Sequence, residues 1–468
     1  MGNSLALVAL MVWPLAGALL FSRGNVPQAI IWTLLGGYLL LPPLVTINLP
    51  MVPGLNKDSV ATLTAAVGAW ICAARAPIPP KTELWIKLLL GLSMLAPVMT
   101  AFANPEPLIE GITYRPGLTY YDGITAGIEA LLSLLPFILG YRFLSEEATH
   151  EALLRAFVIA GIAYSVPMLL EIRLSPQLNV WIYGFFAHDF VQMIRYGSYR
   201  PMVFLNHGLW VAMFALIAVL AAAARLRMYR GDAGRGGRRA VLLWLILVLV
   251  LCKSMASIIY AAVLVPVVLL AGPHRQMRLA ALVACLVFAY PLARSAGLVP
   301  VEAITEWASA IQPERGSSLA FRFQNEDILL DRAMQKPWTG WGGWGRGLVV
   351  DPVTGRYTTI ADGRWIILLG TFGIIGYIAS FGLLCGAVLR AAMAARHHPV
   401  PIATAALALI MAANLIDLIP NATQTPITLL CAGALCGRAA RADIRDPGSG
   451  VAQPDGAARG RPKLQTVL

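Results

Sequence analysis

Charge is what this chain has least of. Only 13% of its 468 residues are Asp, Glu, Lys or Arg, while 58% are hydrophobic; soluble domains carry about a quarter charged residues. That excludes an ordinary soluble domain, whose core cannot absorb so much apolar side chain. Cysteine is scarce too. Cys72, Cys252, Cys285, Cys385, Cys431 and Cys436 lie in or beside apolar runs, and no two form a C-x-x-C pair. The spacing suggests neither a zinc site nor a disulfide framework, and buried thiols acting as small hydrophobes are expected. No Lys or Arg precedes Arg23, so the first apolar stretch lacks the charged start of a secretory signal and reads as a retained span. An internal repeat, which a transporter built from two related halves would carry, is also missing.

What is present is a set of membrane-length apolar stretches. A spanning helix takes about 20 mostly apolar residues. Candidates fall near 3–22, 28–48, 59–75, 84–103, 124–142, 153–171, 204–224, 239–252, 254–272, 277–293, 364–389, 399–418 and 423–437. The expected fold is therefore all-α and polytopic, with 12 or 13 transmembrane helices. The net charge of +12 does not form a stripe interleaved with aromatics, so nucleic acid is not expected as a partner. The charge sits in short loops beside apolar segments, where it sets topology and meets membrane lipid.

One loop decides orientation. Between Arg225 and Arg239 stand six arginines and a single acid, Asp232, as the positive-inside rule expects of a cytoplasmic loop. This puts the polar segments 173–203 and 294–362 on the opposite, outer side, and the N-terminus outside. The chain then divides into N-terminal helices with an outer loop (1–203), central helices around the Arg-rich loop 225–239 (204–293), a large outer loop (294–362), C-terminal helices (363–437) and a disordered inner tail (438–468). The large outer loop carries seven basic and eight acidic residues with four tryptophans, a composition suited to a folded cap. Within it, Ser318 to Gln335 has helical spacing with Ser318 as N-cap.

Several outer-side residues are chemically suggestive, each with a plainer use. Gly340-Trp-Gly-Gly-Trp-Gly345 matches G-x-G-x-x-G but has no βαβ context; its glycines suit close approach of chain to chain or chain to sugar, with Trp341 and Trp344 as flat platforms. Lys253, the only charged residue in 240–272, either faces a cavity or snorkels to the interface. Arg195 and Arg200, before His207 at the mouth of a span, suit phosphate binding or interfacial anchoring, and His207 suits a ligand or helix packing. His188-Asp189 reads as plain surface, and Asn421-Ala-Thr as a chance glycosylation match. Glu326 is placed to pair with Arg322 four residues earlier. Asp362 and Arg364 stand at the start of a span, where Asp362 could be an N-cap and nothing more.

Taken together, the Arg200-Pro201 pair before a span, the short hairpin at Lys253-Ser254, and Arg322 with Arg332 ten residues on, then Pro337-x-x-Gly340-x-Gly342 and the Gly373-x-x-Gly376 span, resemble the O-antigen ligase/polymerase superfamily of bacterial envelope enzymes. The likeness covers about residues 190–440. It implies a metal-independent glycosyltransferase of the bacterial inner membrane, with no cofactor, taking a saccharide from an undecaprenyl-diphosphate carrier to an acceptor hydroxyl on a glycan or lipid-glycan. By the same likeness Arg200 and Arg322 hold the diphosphate. Asp362 falls where the ligases carry histidine, with Gly363 in place of the usual Asn. A carboxylate can take the hydroxyl proton there, which makes Asp362 the expected base and Glu326 its rival. The missing histidine favours an O-antigen or exopolysaccharide polymerase over a lipid A ligase. A polysaccharide or glycolipid transporter is the alternative from another class, and a structural membrane subunit a third.

Overall fold

The computed structural model describes residues 2–48, 53–75, 78–195, 197–311 and 313–444; of the inner tail expected to be disordered (438–468), residues 438–444 continue the last helix and the rest lies outside the described residues. The chain is 71% helical. From the N-terminus run α1 (Ser4–Arg23), α2 (Val26–Leu40), α3 (Lys57–Ile71), α4 (Leu84–Phe102), α5 (Tyr120–Phe143) and α6 (Glu147–Leu174). A one-and-a-half-turn α7 (Leu178–Tyr183) is followed by α8 (Gly208–Met228), α9 (Arg235–Leu251), α10 (Met255–Leu270) and α11 (Pro273–Ser295). After α12 (Val301–Ile311) and α13 (Pro313–Met334) come α14 (Arg364–Ala394), α15 (Ile402–Asp417) and α16 (Pro426–Ile444). Each apolar stretch picked out from sequence overlaps a helix, although 28–48 runs on past the end of α2 at Leu40. Seven of these helices (α1, α4, α5, α6, α8, α11 and α14) are long and apolar enough to cross a membrane, and α2, α10 and α15 are shorter apolar helices. The molecule is membrane-embedded. Sheet is confined, among the described residues, to two hairpins: Leu108–Glu110 with Thr113–Arg115, and Ile194–Arg195 with Ser198–Tyr199.

Local chemistry starts the helices where they start. Asn3, Asn25 and Asn56 each accept a backbone N–H of the first turn of α1, α2 and α3, satisfying donors that a helix end leaves open. In α13 the expected cap is wrong. Ser318 lies inside the helix, which begins at Pro313, because proline suits a first turn that needs no N–H. A Cβ on Gly316 would meet the Ser309 side chain, so α12 and α13 pack closely.

Helices α8 and α15 form the centre, with Val211–Ala224 and Ala403–Leu415 buried throughout. α5 and α16 approach most intimately. A Cβ on Gly433 or Gly437 would lie 2.0 Å from the Phe137 carbonyl oxygen or 2.3 Å from that of Tyr141. This G-x-x-x-G stripe lets two backbones touch, a device of membrane helices, where dispersion contact drives association. The Lys253 turn is tight, with Lys253 itself at φ +55°, but α9 and α10 pack mainly on α8 instead of on each other. Four of the six cysteines are buried as expected; Cys72 is half-buried and Cys285 exposed.

The most consequential element is α14, which is broken at Gly373 (φ +64°, ψ −164°). The break frees the Gly370 and Thr371 carbonyls, which accept the Trp341 and Gly342 N–H groups at 2.8 and 2.9 Å. On the other side of the break, Ile374 and Ile375 N–H donate to the Pro337 and Trp338 carbonyls at 2.7 and 3.3 Å. Segment 337–342 therefore completes the hydrogen bonding of an interrupted helix, as unpaired backbone in an apolar surround requires. The glycines serve chain-to-chain contact: a Cβ on Gly340 would sit 2.6 Å from Thr371 backbone, and one on Gly373 2.4 Å from that of Trp338. Thr100 and Asn104 of the α4 end clamp the same segment through the Thr339 and Gly340 carbonyls, at 2.6 and 3.0 Å.

Ala at Gly373 meets both left-handed backbone and steric overlap, so Gly373→Ala should lower stability by at least about 2–3 kcal/mol. Gly343→Ala, with nothing within 4 Å of the new Cβ, should be tolerated. Thermal unfolding of the detergent-purified variants checks this; equal midpoints would contradict the account of the break.

Candidate functional site

The site gathers at the end of the bundle opposite the Arg-rich loop, since α8 runs from His207 at one end to Arg225 at the other. Its first wall is the segment 200–207. The Glu171 carboxylate, 1% exposed at the end of α6, accepts the N–H groups of Met202 and Val203 at 2.7 Å and of Leu178 at 3.0 Å. The Tyr164 hydroxyl accepts the Phe204 N–H at 3.2 Å, and buried Lys57 donates to the Phe204 carbonyl at 2.9 Å. These ties hold Val203 at φ +52°. They present Arg200, 4% exposed, and His207, whose Nδ1 caps α8 by accepting the Leu209 N–H at 3.0 Å. Sequence reasoning missed Glu171, Lys57 and Tyr164. An ionisable residue at the end of an apolar run was the available signal.

His207 is in cationic company. Burial pushes its pKa down to about 3, with Arg200, His188, Arg195 and Arg322 adding to the effect. Arg200 of the first polar segment and Arg322 of the second thus both contribute to the downward shift of His207, while no residue of 200–207 lines the cavity that holds Arg322. His188 is exposed, as expected of a surface residue, and its ring stands edge-on to that of His207 at 4.6 Å. Lys253 donates to the Arg195 carbonyl at 2.8 Å, tying the α9–α10 turn to the hairpin that carries Arg195.

The second wall comes from α13 and the start of α14. Arg322 Nε lies 3.6 Å from Asp362 Oδ2, both partly exposed, and Arg322 Nη1 donates to the Pro420 carbonyl at 3.3 Å. Asp362 is no helix cap: Gly363 holds that place without a side-chain bond. Glu326 does not pair with Arg322 as spacing suggested. It accepts the Tyr290 hydroxyl at 3.2 Å and sits 3.7 Å from Arg294, because α13 turns that face toward α11. Burial raises Glu326 to about 6, against the pull of Tyr290 and Arg294. Arg322, Glu326, Asp362 and Pro420 line one cavity of about 210 Å³. Beneath it lies Asp417, 4% exposed, held by Asn421 and Thr423 at 3.0 and 2.5 Å; the buried Asn421 is thereby a structural residue.

The remaining sequence-picked residues lie elsewhere. Trp341 is buried, with Arg332 stacked 3.7 Å from its ring and its indole N–H on the Arg332 carbonyl at 2.8 Å. Trp344 is 73% exposed. Arg332 and Arg115 both grip Glu110, at 2.7 and 2.9 Å, pinning the α4–α5 loop to the end of α13. Arg364, two residues from Asp362, borders a different cavity. Chemically, the 210 Å³ cavity offers an arginine for an anion and two carboxylates for a proton. No protein-family model matches the chain, and no curated protein matches it.

Two outcomes follow. Glu171→Ala strands three backbone donors, so stability should fall by at least about 3 kcal/mol; an unchanged unfolding midpoint would contradict the role. His207 is held neutral in the folded state but takes a proton near its ordinary 6.5 when unfolded. Stability should therefore decline as pH falls from about 6.5 toward 3. His207→Asn, which keeps a cap acceptor, should flatten that slope; an unaltered slope would refute the assignment.

Proposed function

We propose that this chain is an inner-membrane glycan polymerase or ligase of bacteria, acting on a saccharide linked to a polyprenyl diphosphate. The observation that carries the reading is the Arg322–Asp362 pair in a cavity shared with Glu326, within electrostatic reach of the segment that presents Arg200 and His207. In this reading thirteen helices cross the membrane, counting α2, α3, α9, α10, α15 and α16 with the seven long ones. The Arg-rich loop faces the cytoplasm and the site faces outward.

The chemistry is a displacement at the anomeric carbon of the donor. An acceptor hydroxyl oxygen bonds to that carbon while the bond to the diphosphate oxygen breaks, and undecaprenyl diphosphate leaves with the electron pair. Arg322 and Arg200 balance the charge that grows on the leaving group, and Asp362, released as Arg322 turns to the diphosphate, takes the hydroxyl proton. Glu326, with its pKa of about 6, is the alternative acceptor. The absence of histidine at position 362 favours polymerase over ligase.

A transporter is the second reading, favoured by the break in α14, since broken helices mark many transporter sites. Against it, the groups freed at that break are taken up by segment 337–342.

The lipid-linked saccharide pool separates the readings. Arg322→Ala at native abundance should cost on the order of 10²–10³ in transfer, with single carrier-linked units accumulating outside. Units trapped on the cytoplasmic side would indicate transport instead, and an unchanged glycan profile would overturn both. Asp362→Asn should abolish transfer at unchanged abundance; near-normal activity would remove it as the base.

A further inference from the structure

A second cavity, of about 340 Å³, lies between α3, α5 and the start of α16. It is separated from the Arg322 cavity by the crossing of two segments. There the Arg364 N–H donates to the Leu418 and Asn421 carbonyls at 3.0 and 3.1 Å. Gly363 permits the crossing, since a Cβ would lie 2.1 Å from the Ile419 oxygen. Asp362 and Arg364, two residues apart, thus line opposite chambers.

What marks this chamber is polar chemistry without partners. Asp58 Oδ1, Arg364 Nε and Gln424 Oε1 are each inaccessible to solvent, make no hydrogen bond, and belong to residues lining this one cavity. Leaving such atoms unsatisfied costs about 1–3 kcal/mol each, more when charged. In native structures such groups are few, and each calls for a cause such as strain, a catalytic role or a bound water or ion. Glu129, Ser59 and Ser133 add a carboxylate and two hydroxyls to the wall.

The mixture selects a ligand class. A phosphate or other anion would meet Asp58 and Glu129, and a metal or ammonium cation would meet Arg364. A molecule carrying many hydroxyls satisfies both kinds of wall, because each hydroxyl donates to a carboxylate or amide oxygen and accepts from a guanidinium. The volume lies within the range of small-molecule pockets. We propose that this chamber binds an uncharged polyhydroxylated ligand, a saccharide, and that it is the acceptor's subsite beside the donor cavity. The acceptor role rests on the glycan-transfer reading; the saccharide binding does not.

The test uses the purified full-length protein and neutral oligosaccharides released from the host's envelope polysaccharide, with thermal unfolding as readout. Wild type and Arg322→Ala should both be stabilised saturably, whereas Ser133→Trp, which fills the chamber, should show no shift. Glu129→Gln, nearly isosteric and so the safer fold, should bind on the order of tenfold more weakly, about 1.4 kcal/mol. No saturable shift in wild type, an equal shift in both chamber variants, or an equal response to sulfated analogues would each overturn the proposal. The glycan-transfer reading fails separately, through an unchanged carrier-linked pool in Arg322→Ala cells.

Discussion

The interrupted helix α14 imposes the constraint on which this architecture depends. A helix broken at Gly373 in an apolar surround must place its freed carbonyl and amide groups on other protein atoms, since no solvent is there to take them. Segment 337–342 does so, through four backbone hydrogen bonds to Gly370, Thr371, Ile374 and Ile375. That docking fixes the C-terminal end of α13 against the membrane helices. With Arg332 and Glu110 holding the adjoining loop, α13 has little freedom to shift, and Arg322 meets Asp362 at the mouth of α14.

A second set of buried polar contacts shapes segment 200–207. Glu171 spends its carboxylate on three backbone donors, which holds an irregular segment rigid at the end of an apolar helix. Arg200 and His207 depend on it for their positions. Both segments are built the same way: irregular backbone is satisfied by groups from distant parts of the chain, 202–204 by Glu171, Tyr164 and Lys57, and 337–342 by the broken α14. Electrostatic preorganisation of this kind spares a site the cost of reorienting its dipoles when charge develops.

The helices were legible because apolar run length is a direct physical requirement of a membrane, and all thirteen stretches overlap helices. The break in α14 was not, because 365–389 runs without a charged residue and Gly373 carries no signal of its φ. The glycines at 340 and 342 were read as close-approach residues without a partner in view, and that partner is Gly370–Gly373. The resemblance assigns Arg322 and Asp362 to one site, and the structure sets them 3.6 Å apart. Spacing suggested the Arg322–Glu326 pair, but α11 supplies Tyr290 and Arg294 to Glu326 instead. The chamber of Asp58, Arg364 and Gln424 was invisible in sequence, since its three orphaned groups come from segments more than 50 residues apart.

The central claim is that the Arg322–Asp362 cavity performs glycosyl transfer from a diphosphate-linked donor. Its most direct measurement is reconstitution of the purified protein alone in vesicles with an undecaprenyl-diphosphate-linked saccharide and a glycan acceptor, following released undecaprenyl diphosphate and glycosidic bonds together. The account predicts one diphosphate released for each bond formed by wild type and none by Asp362→Asn. Donor that crosses the bilayer intact, with no diphosphate released, would contradict it.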